Sequence, residues 1–223
     1  GTFRYNPAVT SNTLTLSGNS NSNIDLGGAL VCDALGNITI GEIIGGTGSI
    51  QKTGAGSLTL NAVNTYTGAT TVNAGTLKGT GSLVGPLTVA AAGSVAPGNS
   101  VGTLTAGNTN LSGNYACEIN GSAADRLTVN GNLTIAASGA SIAFTTLAPP
   151  SLASYVIASY TGTFTGNTLN IQCDLKGSTG DRSVLCGFVI TDKPVVTSCL
   201  PAATTILPGS SFSRFNAASI DSG

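Results

Sequence analysis

The sequence predicts an all-β protein whose short strands succeed one another as the coils of a solenoid. A three-residue phrase, consisting of an apolar residue, Thr and a second apolar residue, recurs at 14–16, 58–60, 87–89, 104–106, 127–129 and 133–135. Gly or Asn usually follows the phrase, and these residues tolerate the positive φ angles of tight turns. No stretch of about 11 residues has the apolar spacing of an amphipathic helix.

Each phrase has the pattern of a short strand with one buried face. Because alternate side chains of a strand point to opposite faces, the two apolar residues point inward and the Thr points outward. We therefore expect Leu58 and Leu60 to be buried. The intervals of roughly 17 to 29 residues between phrases suit a solenoid coil of two or three short strands.

A β-sandwich is the competing fold, since it also contains many short strands. The 31 glycines of the chain argue against helical folds, because glycine in a helix costs about 1 kcal/mol per residue relative to Ala. Sandwich strands usually run longer and contribute a larger aromatic core, whereas only 5% of this chain is aromatic. The composition therefore favours the solenoid.

The charge content excludes several classes of partner. The chain has 223 residues, a formal net charge of -1 and 8% charged residues, against about 25% in average globular proteins. Without a basic excess we expect no nucleic-acid partner. No apolar run reaches the roughly 18 to 20 residues that a spanning helix needs, so we expect no transmembrane segment.

The absence of histidine restricts the possible chemistry to carboxylates. Ser-His-Asp catalysis and histidine-metal sites are excluded, and we expect no catalytic residue, no cofactor and no metal. The pairs Asp125-Arg126 and Asp181-Arg182 are interpreted as solvated charges at turns. The alternative is a carbohydrate-active enzyme, which needs two carboxylates about 5 to 9.5 Å apart.

The segment from Lys52 to Leu77 resembles the autotransporter-associated β-strand repeat of bacterial passenger domains. It reads KTGAGSLTLNAVNTYTGATTVNAGTL, and the flanking residues 45–50 and 95–104 resemble the same family. Residues 125–135 and 155–166 are similar to the closing part of such passengers. The resemblance is specific over 45–106 and weaker over the rest of 1–171.

The resemblance implies a right-handed parallel β-helix exported to the cell surface. Right-handedness also follows the general rule for parallel crossover connections. With roughly eight coils at a strand spacing of about 4.8 Å, the rod would be on the order of 40 Å long. The implied function is structural: a self-associating fibre subunit, or an adhesive passenger or stalk.

Three regions are predicted along the chain. Residues 1–171 form the solenoid, residues 172–193 form a cysteine-containing strand region without the repeat phrase, and residues 194–223 form a Pro/Ser-rich extended arm. In the middle region Val184, Cys186, Phe188 and Ile190 alternate as a strand should.

The five cysteines predict disulfide chemistry in an exported protein. No C-x-x-C spacing supports a metal site. Alternation indicates that Cys117 and Cys173 point inward, and Cys173 with Cys186 is the candidate disulfide, although sequence alone leaves the connectivity open. Cys199 is a candidate for an intermolecular bond, for pairing with its own body, or for a free thiol.

The arm contains too many apolar residues for a solvated tail. We expect it to lie along an adjacent subunit in the manner of strand addition. Residues 1–5 resemble the middle of a repeat, so we expect either that more chain precedes them in the full gene product or that another copy stacks there end to end. Surface glycans or host and matrix ligands are further candidate partners. The proposed contact residues of the arm are Val195, Val196, Ile206, Leu207, Phe212, Phe215 and Ile220.

Overall fold

The parallel β-helix is confirmed, in a computed structural model that describes residues 1–7, 12–17, 23–136, 140–152, 154–166, 170–174, 184–190 and 195–201. All regular elements among these residues are strands. Their two long sheets pair neighbouring coils in parallel, whereas the competing sandwich is built from antiparallel sheets. None of the described residues belongs to a helix that is long and apolar enough to cross a membrane.

Each coil contributes one strand to each of two long sheets. In spatial order the first sheet contains β1 (Thr2–Tyr5), β4 (Leu30–Ala34), β7 (Ile50–Thr53), β9 (Thr70–Val72), β11 (Leu87–Val89), β14 (Thr109–Leu111), β18 (Leu133–Ile135) and β21 (Phe164–Gly166). The second sheet contains β2 (Thr13–Leu16), β5 (Asn37–Ile40), β8 (Ser57–Leu60), β10 (Gly75–Gly79), β12 (Gly93–Pro97), β15 (Asn114–Asn120), β19 (Ser141–Ala148) and β22 (Asn170–Asp174). The short strand β16 (Ala123–Ala124) pairs antiparallel with β15.

A third face completes the coils. Its first part pairs β3 (Asn23–Leu26) with β6 (Ile43–Gly46), and its later part stacks β13 (Thr103–Ala106), β17 (Arg126–Val129) and β20 (Ser154–Tyr160), all in parallel. Isolated bridges join Val63 to Ser82 and Ser82 to Thr105 between the two parts. Each complete coil therefore has three sides, formed by the two long sheets and this third face.

The coils differ in length along the chain, which explains the uneven spacing of the phrases. Partners are 29 residues apart for Arg4 and Asp33 in the first coils, and 20 apart for Ser57 and Asn37. Later partners are 24 residues apart for Asn132 and Asn108, and 27 apart for Ser141 and Asn114. The phrases also occupy different faces, since 58–60 lies in the second sheet and 133–135 in the first.

The core is a continuous column of stacked apolar side chains. In the second sheet Ile38, Leu58 and Leu77 are register partners in successive coils, and each is fully buried. Leu60 is also fully buried, so the inward assignment of both leucines is confirmed. Burying one such side chain contributes about 1.5–3 kcal/mol, which makes this column the main source of stability.

The C-terminal strands change the direction of pairing. β24 (Val195–Pro201) pairs antiparallel with β20, and β23 (Val184–Ile190) pairs antiparallel with β24. The parallel stack of the second sheet continues through β22 to Asp174. The start of the predicted arm therefore adds a strand to its own chain, while the division at 171 and 193 stays a prediction.

Candidate functional site

A line of hydroxyl and amide side chains runs along the outside of the second sheet. Asn37, Ser57, Thr76, Ser94 and Asn114 occupy this line, in which each strand pairs with the next. The Ser57 Oγ donates to Asn37 Oδ1 at 2.8 Å. Because neighbouring strands lie about 4.8 Å apart, the line offers a polar group at that interval along the rod.

Beside this line the sheet surface is hollowed into a cavity of about 340 Å³, which we call the trough. Its lining includes outward residues from successive coils: Thr76 and Lys78 of β10, Ala96 of β12, and Ala116 of β15. Lys78 pairs in register with Ala96, so a long side chain stands next to a short one. The cavity thus lies where the long side chain of Lys78 is followed by the short side chain of Ala96.

Two acidic residues, Glu118 and Asp125, also line the trough. Glu118 is half-buried on β15, and Asp125 follows β16 and is only 1% exposed. Asp125 Oδ1 accepts from the Gly102 N–H, and its Oδ2 accepts from the Glu118 N–H, each at 2.8 Å. The interpretation of Asp125 as a solvated turn charge was therefore wrong: its carboxylate fastens two backbone segments together.

Burial sets the protonation of Asp125. Removal from water raises the pKa of this carboxyl to about 6, and the neighbouring Glu118 also raises it. The two backbone N–H donors and Lys78 act in the opposite direction. Arg126, its neighbour in sequence, is exposed and donates to Ser159 Oγ at 3.0 Å. The pair Asp181-Arg182 lies outside the described residues.

Lys78 presents a cation to the trough. The one ion pair within 4 Å among the described residues joins Arg4 Nε to Asp33 Oδ2 at 2.8 Å, in the first coils. The Lys78 ammonium is thus not held by a carboxylate of the described chain. The lining of the trough therefore includes one ammonium donor and two carboxyl groups.

A second lysine, Lys52, is fully buried and has a structural role. Its Nζ donates to the carbonyls of Thr53 at 2.6 Å, Gly54 at 2.7 Å and Ala74 at 3.3 Å. Burial lowers the pKa of Lys52 to about 8. A Cβ on Gly75 would lie 2.6 Å from Nζ, and the φ of +71° at this position also favours glycine. The sequence signal was available, because Lys52 alternates with inward Ile50.

The cysteines fall into two groups. Cys32 and Cys117 are buried thiols outside any disulfide, which confirms the inward direction of Cys117. Burial raises the pKa of the Cys32 thiol to about 11. In the backbone register Cys173 stands opposite Phe144, and Cys186 stands opposite Cys199. The pairing of Cys173 with Cys186 stays a prediction.

The remaining predicted site residues belong to the arm. Val195 and Val196 are part of β24, next to β20. The other five lie outside the described residues: Ile206, Leu207, Phe212, Phe215 and Ile220. Across the part of the chain with described positions, no three metal-ligating side chains converge.

One segment of the solenoid matches a known repeat family. Residues 50–78 match the family described as the passenger-associated-transport repeat. This stretch covers β7 through β10, and it contains both Lys52 and Lys78. The resemblance to autotransporter passenger repeats is thereby confirmed, and the chain carries a repeat of that type.

One curated relative has a comparable segment. The chain is 38% identical over 71 residues to the adhesin BmaC autotransporter of Brucella suis biovar 1 (strain 1330). The match covers 32% of this chain and 2% of that protein. The chain thus spans a small fraction of the length of the relative.

Proposed function

We propose that this chain is a rigid segment of an exported passenger at the bacterial cell surface, where it holds adhesive surfaces away from the membrane. The observation that carries the proposal is the unbroken parallel stack that runs through the repeat at 50–78. In a solenoid each coil contacts mainly its neighbours, so added coils extend the rod without changing its cross-section. The adhesin relative supports an adhesive rather than a catalytic role.

Surface display and attachment test this function. Cells producing the full-length gene product are stained, intact and permeabilised, with antibodies against the solenoid, and a matched strain lacks this segment. We expect staining of intact cells and weaker attachment to matrix- or glycan-coated surfaces when the segment is deleted at equal expression. Staining only after permeabilisation, or unchanged attachment, would contradict the proposal.

We also propose self-association into fibres, in which parallel strand pairing would join copies of the solenoid. Sedimentation and electron microscopy of the purified chain test it.

The enzyme alternative now has a concrete location, since Glu118 and Asp125 border one cavity. We nevertheless propose a non-catalytic role, because both Asp125 oxygens are engaged by backbone N–H groups. Incubation with a broad glycan panel at acidic and neutral pH should release no oligosaccharide. Sustained release that is lost in the Glu118→Gln and Asp125→Asn variants would establish the enzyme instead.

A further inference from the structure

We propose that the trough of the second sheet is a binding site for an uncharged oligosaccharide chain. The inference deepens the proposed adhesive function and rests on it, since it assigns one adhesive surface to named residues. The trough combines a cavity of about 340 Å³ with a line of hydroxyl and amide groups and with charges of both signs.

The lining supplies the hydrogen bonds that sugar hydroxyls require. Lys78 is a donor with three N–H groups, Thr76 donates and accepts, and Glu118 accepts. An ionised carboxylate has about four acceptor positions, and each Asp125 oxygen is bonded to one backbone N–H. Because Asp125 is buried and both its oxygens hold backbone amides, the half-buried Glu118 is the acidic acceptor that a ligand can reach.

The shape of the floor favours a chain over a compact ligand. Asn37, Ser57, Thr76, Ala96 and Ala116 come from five successive coils of the second sheet. At about 4.8 Å per strand, the lined surface extends along the rod axis for on the order of 20 Å. A linear polymer lying parallel to that axis would contact all five coils.

Spacing favours a glycan over a polypeptide. In an extended peptide, side chains on one face recur at about 6.8 Å, twice the rise of about 3.4 Å per residue. The polar groups of the sheet recur at about 4.8 Å, so the side chains of an extended peptide would not match their spacing. Hydroxyl groups distributed around every unit of a glycan need no such match.

Charge favours an uncharged glycan. Glu118 and Asp125 would repel a polyanion at neutral pH, while Lys78 would repel a polycation. With one ammonium and two carboxyl groups the trough carries charges of both signs, and each of these groups forms strong hydrogen bonds to hydroxyl groups. A neutral chain is therefore the ligand that can bond to both the ammonium and the carboxyl groups of the trough.

The test is retention of the purified chain on immobilised neutral glycans, namely glucan, mannan, galactan and xylan. Polygalacturonate, chitosan and an Ala-rich peptide serve as comparison surfaces. The variant Ala116→Phe fills the trough from a half-buried outward position. Thr134→Phe is the matched control, because Thr134 is half-buried on the outward side of the first sheet.

We expect at least one neutral glycan to bind, with affinity lowered about tenfold or more in Ala116→Phe and unchanged in Thr134→Phe. Lys78→Met should weaken binding without altering the thermal midpoint. The inference is overturned if no neutral glycan is retained, if both Phe variants bind equally, or if the trough-dependent ligand is a charged polymer or the peptide. Cell attachment that survives Ala116→Phe but not deletion of the segment would refute the trough while upholding the adhesive function.

Discussion

At the scale of single residues, Lys52 shows how one buried charge holds a turn of the repeat. We expect Lys52→Met to lower the free energy of unfolding by about 1–3 kcal/mol, since buried carbonyls lose their donor. Chemical denaturation measures the change. Lys78→Met is the matched control and should stay within about 0.5 kcal/mol of the wild type. Equal effects of the two substitutions would contradict the structural role of Lys52.

Asp125 predicts a pH dependence of stability. Its folded-state pKa of about 6 lies above the ordinary value of 3.8, so the folded chain holds the proton more tightly than the unfolded chain. The contribution is therefore fully present below pH 3.8 and is lost as the pH rises through 6. We expect the stability advantage of wild type over Asp125→Asn to shrink across this window.

Urea midpoints between pH 4 and pH 7 measure this difference. Asp25→Asn removes an exposed carboxylate from β3 and controls for the general effect of charge. Identical pH profiles for wild type and Asp125→Asn would show that Asp125 titrates in the same way in the folded and unfolded states.

At the scale of strands, the inward column depends on the alternation within each phrase. Leu58→Asp would place an unpaired charge in the fully buried column and should cost about 3 kcal/mol or more. Thr39→Asp changes an outward residue of the neighbouring strand β5 and should cost much less. A thermal midpoint that falls equally in both variants would argue against the distinction between inward and outward positions.

The C-terminal hairpin makes a prediction about cysteine pairing. Cys186 and Cys199 are directly opposite in the antiparallel register of β23 and β24, which favours their pairing over that of Cys173 with Cys186. Oxidation by a disulfide-bonded donor would join the two sulfurs, with the two thiol hydrogens and two electrons passing to the donor disulfide, which is reduced to two thiols. Peptide mapping without reductant should find the Cys186–Cys199 bond. A Cys173–Cys186 peptide would instead support the pairing expected from sequence.

At the scale of the whole molecule, deletion of the arm distinguishes a stalk from a fibre subunit. Deleting 194–223 removes β24 from the edge of β20. We expect the solenoid to remain folded and end-to-end assembly to be lost, as measured by circular dichroism and by sedimentation or electron microscopy. Assemblies of unchanged length would show that the arm has no part in association. Loss of the folded solenoid would show that β24 serves its own chain.

Much of the fold follows from local sequence patterns. The alternation within the phrases predicts the burial of Leu58, Leu60 and Cys117, and the segment from Lys52 to Leu77 indicates the repeat. The phrases alone do not assign a strand to a face, because each of the three faces buries the same apolar pair. Coil length also varies, so the register of distant strands does not follow from one fixed period.

The inward column can be predicted from spacing within a few residues, and the parallel solenoid from the recurrence of the phrases together with the resemblance over 52–77. The tertiary structure creates the trough, since Lys78, Ala116 and Asp125 come together through the stacking of separate coils. It likewise decided that Asp125 is buried, because the Gly102 and Glu118 amides that hold it come from different parts of the chain. Contacts between coils depend on register, and register is set by the packing of the whole column.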